Sequence, residues 1–232
     1  MTLKQTASVG RPSYDSELVG RAMSGDLGGH ESLFRRHAPD AWELALVCYR
    51  RPTAAEVAVR LGFGMALVAA YSDPLFAKVP FGVTVRHKVR AVAPRVAQAA
   101  AANDDDLTAW SRAVRGPAAP LNRLIEVFET LSEPSRAALW VTEVQALGLV
   151  DTSAVLNLPL PDAALVLEQA RADLTRRIQR VPRNERPADP RVALMEMIIP
   201  MPREMGRRAA EDWRKWLAHT RRSATAGQGA PR

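Results

Sequence analysis

From Ser16 to about Val47 the apolar residues Leu18, Ala22, Leu33, Phe34, Ala41, Leu44 and Ala45 recur mostly at steps of three and four. That is the spacing of amphipathic helices. Asp15 and Ser16 are placed to cap the first helix, and Gly25, Gly28 and Gly29 interrupt the pattern between two segments. Pro52 opens the next helix, with Val57, Leu61, Met65 and Val68 on one stripe as far as about Tyr71, and Pro80 to about Ala93 gives another with Val85, Val89 and Val92 inward. Pro94 stops it. The chain from 14 to 95 therefore reads as a small all-helical domain.

An alanine run, the acidic cluster Asp104 to Asp106 and the Gly116-Pro117-Ala-Ala-Pro120 punctuation make 96 to 119 a linker. Beyond it, Leu121 to Thr130 is helical, Ser132 can cap a helix that tolerates Pro134 in its first turn, and Arg136 to Val144 continues it. A short helix from about Thr152 to Leu156 meets Leu158-Pro-Leu-Pro161, and Pro161 opens a last helix reaching about Ile178. Residues 120 to 180 thus have a helix-turn-helix silhouette, which suits either DNA binding or a packed bundle. The expected fold class is all-α: two small helical domains and an extension over 181 to 232.

Charge changes the picture by its distribution. The formal net charge is +7, but Arg176 to Arg232 holds 14 basic and 6 acidic residues, a net +8, against 18 basic and 19 acidic in the rest, a net −1. Strong attraction to phosphate belongs to the tail or to local clusters. The single cysteine, Cys48, sits among Leu44, Ala45, Leu46 and Val47 as a small buried hydrophobe, and His30, His37, His87 and His219 form no spaced ligand pair. No metal, cofactor or small-molecule substrate is expected. With no nucleophile beside a base, no carboxylate pair and no phosphate-binding glycine loop, no catalytic residue and no enzyme is expected either. The apolar stretch Val57 to Ala70 is interrupted by Arg60 and falls short of a membrane span, and Met1 to Ser16 lacks the features of a secretory signal. A cytoplasmic protein is expected.

Two blocks carry a resemblance. Glu17-Leu-Val-Gly-Arg-Ala-Met-Ser-Gly-Asp-Leu27 with Glu31-Ser-Leu-Phe-Arg-Arg-His-Ala-Pro39 resembles the opening of the second region of bacterial sigma factors of the extracytoplasmic-function group. Leu131-Ser-Glu-Pro-Ser-Arg-Ala-Ala-Leu-Trp140, then Val141-Thr-Glu-Val-Gln-Ala-Leu147, is similar to the start of their fourth region, and Gln169-Ala-Arg171 with Leu174 and Arg176 resembles its basic end. The resemblance implies a transcription-initiation subunit that binds the RNA polymerase core and promoter DNA.

Several positions depart from the family pattern. The clamp-facing helix of the family reads P-x-D-A-E-D-x-V-Q-E-x-F, and here Pro52-Thr-Ala-Ala-Glu56-Val57-Ala-Val59-Arg60-Leu61-Gly-Phe63 keeps Glu56 alone of the acidic set. Glu56, Arg60 and Phe63 become the expected polymerase contacts, and weaker than usual ones. The promoter-melting helix is matched by Arg86-His87, with Lys88 and Arg90 keeping it basic, while the base-reading end of the last helix carries Asp162 and Glu168. Expected DNA contacts are Arg86, His87, Lys88, Arg90, Arg171, Arg176 and Arg177, gripping backbone more than reading bases.

The extension adds an apolar patch from Val192 to Met201 and a basic helix, Arg203 to Arg222, with Met205, Ala209, Trp213, Trp216 and Leu217 along one face. The patch either packs back onto the second domain or docks a partner, for which Met195, Ile198, Trp213 and Trp216 are the expected contacts; the helix suits its own domain, nucleic acid or an anionic membrane surface, and Ser223 onward is expected to be unstructured. Two functions share the fold: a divergent sigma factor, or a sigma mimic or adapter that binds an anti-sigma protein or another regulator without initiating transcription.

Overall fold

The computed structural model describes residues 12–92, 119–195, 197 and 201–227. The described residues are helical, with no strand among them. The helices are α1 (Pro12–Ser24), α2 (Leu27–Tyr49), α3 (Pro52–Ser72), α4 (Phe81–Ala91), α5 (Ala119–Glu129), α6 (Glu133–Leu139), α7 (Leu149–Leu156), α8 (Leu160–Ile178), α9 (Pro190–Met195) and α10 (Met205–Gly227). Short 3₁₀ turns cover Phe76–Lys78 and Arg183–Glu185, and a π-turn, Trp140–Val144, extends α6.

Local chemistry sets most boundaries. The break between α1 and α2 comes at Gly25, whose φ of +100 suits glycine, and Asp26 caps α2 by accepting from the Gly28 N–H at 2.8 Å. Gly28 and Gly29 therefore belong to the first turn of α2, not to the break. Helix α1 begins earlier than the expected Asp15 cap, and the Asp15 carboxylate instead takes Arg36 (2.5 Å) and His37 (3.0 Å) from α2. Ser132 caps α6 by accepting from the Ser135 N–H, Pro134 lies in the first turn, and Pro161 lies in the first turn of α8. Helix α7 starts a turn before Thr152, and α10 runs to Gly227, past the Ser223 at which order was expected to end. Of the expected linker, 96–119, residues 96–118 lie outside the described residues and Ala119 is the first residue of α5.

Helix α3 is the axis of the first half, packed by α1, α2 and α4. It is 21 residues long and apolar enough by length and composition to cross a bilayer. The expected stripe is not the buried face: Ala55, Val59, Phe63 and Leu67 are buried against the neighbouring helices, Leu61 and Met65 are 46% and 41% exposed, and Glu56 and Arg60 are ion-paired. Its closest approach is to α4: a Cβ on Gly62 would stand 2.6 Å from the Val89 backbone, so the two helices meet where a side chain is absent.

The two halves expected as separate domains are in contact. Helix α2 meets α6, and α4 meets α7; α10 packs on α2 and α3. The buried apolar residues form one connected cluster, from Leu33, Phe63 and Val89 through Phe128, Trp140 and Leu156 to Trp213. Along the tail, Met205, Ala209, Trp213 and Leu217 are buried, as their shared face implied, and the surface they meet is that of the first half. Of the methionine-rich patch, Leu194 and Met197 are buried, with α9 on α5 and the π-turn, whereas Val192 and Met195 are exposed.

Candidate functional site

The basic face of α4 lies against the second half of the chain. Arg86 is 6% exposed, and its guanidinium reaches three partners: Nη2 to Asp40 Oδ2 at 2.5 Å, Nη1 to the Gly82 carbonyl at 3.0 Å, and Nε to Gln145 Oε1 at 2.8 Å. Gln145 in turn donates Nε2–H to the Asp40 carbonyl at 2.7 Å. One turn on, Arg90 makes a two-pronged pair with Glu133 (2.8 and 3.0 Å) and donates to the Leu156 carbonyl at 2.5 Å. Between them, His87 Nδ1 donates to the Ala154 carbonyl at 3.0 Å.

The titration tendencies follow from this burial. Arg86 and His87 are both pulled below their ordinary values chiefly by burial, Arg86 against the opposing charge of Asp40. For Arg90 burial is again the largest influence, but the hydrogen bond and charge of Glu133 outweigh it and leave the guanidinium above its ordinary value. Glu133 is held below the usual carboxylate range by the same pair, against burial. Arg86, His87 and Arg90 were expected to face DNA; in this arrangement they hold the two halves of the chain together. Releasing Arg86 to a phosphate takes the donor from Gln145 Oε1, a cost of up to about 3 kcal/mol, while Asp40, whose side chain is 48% exposed, turns to water. Lys88 points elsewhere, with its Nζ 4.1 Å from the centre of the Phe76 ring.

A further arginine completes the junction. Arg136, 7% exposed on α6, donates to the carbonyls of Val47 (2.9 Å) and Cys48 (3.3 Å) in the last turn of α2, and to that of Leu131 (2.6 Å). A cation there meets carbonyls that the helix itself cannot pair and the negative end of its dipole. It stands inside the Leu131–Trp140 block as an unremarked basic residue; only the neighbouring half of the chain explains it.

The expected polymerase face of α3 is covered by α10. Arg60 donates through Nε and Nη2 to Asp212 at 2.7 and 2.5 Å, and Glu56 accepts from Arg60 (3.3 Å) and Arg208 (2.8 Å). Arg60 thus has carboxylate partners on its own helix and on the tail. Phe63 is 1% exposed and packs edge-on against Phe34, His30 and Phe81, so it is a core residue and not a surface contact. Trp213 stacks on His30 and donates its indole N–H to the Ala22 carbonyl at 3.2 Å, and Trp216, stacked on Trp213, stays 37% exposed.

In the second half, Arg171 pairs with Glu143 at 2.5 Å, Arg176 with Asp173 at 3.1 Å, and Arg177 donates to the Thr130 hydroxyl at 2.9 Å. Asp162 and Glu168 are exposed on α8, beside the exposed Leu165. Of the remaining tail residues, Met195 is exposed at the end of α9, and Ile198 lies outside the described residues. No three His, Cys, Asp or Glu side chains lie together as metal ligands among the described residues.

Comparison of the chain with family models, with curated proteins and with solved structures gave no match.

Proposed function

We propose that this chain is a sigma-factor-like regulator of transcription that works through protein contacts, as a mimic or adapter, and does not itself initiate transcription. The observation that carries this reading is the use of α4: three of its four basic side chains, Arg86, His87 and Arg90, are hydrogen-bonded to the second half of the chain. A helix that opens promoter DNA needs those groups for phosphates and bases. The cover of α10 over Glu56 and Arg60, and the acidic Asp162 and Glu168 on the exposed face of α8, support the same reading.

Run-off transcription with purified polymerase core tests it. The full chain is expected to yield no promoter-dependent transcript above core alone, while an authentic sigma factor in the same assay does. A defined transcript start that appears only with this chain overturns the proposal and restores the reading of a divergent, initiating sigma factor, in which the junction between the halves opens before DNA binds.

A further inference from the structure

Helices α3 and α10 do not close on each other along their whole length. Between them lies a cavity of about 550 Å³, within the range of small-molecule sites. One wall is a stripe of α3 from Arg60 to Ser72 that includes Leu61, Met65 and Val68; the other is α10 with Trp213 and Trp216. The twelve rises from Arg60 to Ser72 span about 18 Å at 1.5 Å each, so the space is elongated. Gly64 borders it, and a Cβ added there would meet nothing within 4 Å.

The cavity also borders His30, which is 2% exposed. The His30 Nδ1 is buried without a hydrogen-bond partner among the described residues, in a core where such atoms are ordinarily paired. Burial first, and the charge of Arg214 second, pull this imidazole down to about 4, so at neutral pH it is uncharged, with one nitrogen donating and one accepting. The charged residues in the lining balance: Arg60 and Lys88 against Asp73 and Asp212. An ionic guest would be desolvated with no net opposite charge to receive it. The Nδ1 atom itself has no open surface, so a guest reaches it through a tilt of the ring, and a hydroxyl, which both donates and accepts, then satisfies it in either tautomer.

We infer that the cavity between α3 and α10 is a binding site for a small, uncharged, elongated amphiphile, whose apolar body lies between Leu61, Met65 and the two tryptophans and whose hydroxyl meets His30. Its walls come from both helices, so an occupant strengthens the seat of α10 on α3. Neither statement depends on whether the protein initiates transcription.

Isothermal titration calorimetry of the full chain with 1-octanol, octanoate and octylammonium, all below their aggregation limits, tests this. Saturable 1:1 binding of 1-octanol is expected, at least tenfold tighter than either ion. His30→Phe keeps the ring and its stacking but removes the polar partner, and should weaken octanol at least fivefold. Gly64→Phe fills the cavity from an open position and should abolish binding while leaving the helical circular dichroism unchanged. On the native chain, octanol should slow amide hydrogen exchange in α10 and shift the His30 Nδ1 nitrogen resonance. Absence of saturable octanol binding means a cavity that holds water alone and overturns the inference. So does binding that survives Gly64→Phe, or octanoate or octylammonium binding as tightly as octanol.

Discussion

Replacing Arg136 with methionine tests whether the two halves of the chain form one cooperative unit. Methionine has a similar length and fills much of the same space, so the change removes hydrogen bonds more than volume. It strips partners from the Val47 and Cys48 carbonyls at the end of α2 and from Leu131, contacts of 2.9, 3.3 and 2.6 Å around a side chain 7% exposed. Each stranded carbonyl costs about 1–3 kcal/mol, partly offset because a guanidinium no longer has to be desolvated. The net expected loss is about 3 kcal/mol. For a chain of this size that lowers Tm by about 10 °C, and it should shift the urea midpoint with little change in slope. Arg136→Lys keeps the charge but not the fork, and should recover only part of the loss. Hydrogen exchange supplies the second readout: protection should fall in α1–α4 and in α6–α8 together. A loss below about 1 kcal/mol, or protection lost in α6–α8 alone, would refute the view that Arg136 ties the halves into one unit.

Acidification should destabilise the protein between pH 6.5 and 4. Across that window the unfolded chain protonates His30 at its ordinary value of 6.5, whereas the folded chain holds it near 4, so stability falls as pH falls, by about 3 kcal/mol in all. His37 and His87, also depressed mainly by burial, act in the same direction, and His30→Phe should flatten the pH dependence of urea unfolding by about 1 kcal/mol per pH unit near pH 5. Gly62→Ala drives a Cβ into the Val89 backbone and should cost about 2 kcal/mol by thermal melting. Gly20→Ala, on the same fold with nothing within 4 Å, should instead gain about 0.5–1 kcal/mol. Glu143→Gln breaks a pair whose arginine is 40% exposed and should change stability by less than about 1 kcal/mol.

The helices were legible in the chain because their causes are local. Apolar spacing placed α2 to α4, Ser132 and Pro134 opened α6, and Pro161 marked the start of α8. The same rule foresaw the face of Met205, Ala209, Trp213 and Leu217, since helical periodicity decides which side chains share a side. What that face meets is a matter of distance in space, which periodicity does not encode. Arg86, His87 and Arg90 looked like a basic surface because nothing near them in sequence is acidic; their partners Asp40, Gln145, Glu133, Ala154 and Leu156 lie 43 to 67 positions away. Arg60 has Glu56 one turn away on its own helix, but its two-pronged partner Asp212, 152 positions on, is set beside it only by the fold. The sequence by itself determined most of the helices and the inward faces of α4 and α10, because those follow from short-range sterics and period, but not the face of α3, where the expected stripe of Leu61 and Met65 is exposed. The tertiary structure decided which charges are exposed, which are joined, and that a cavity with an unpartnered imidazole lies under the tail, because desolvation and pairing depend on what folding sets within a few ångströms.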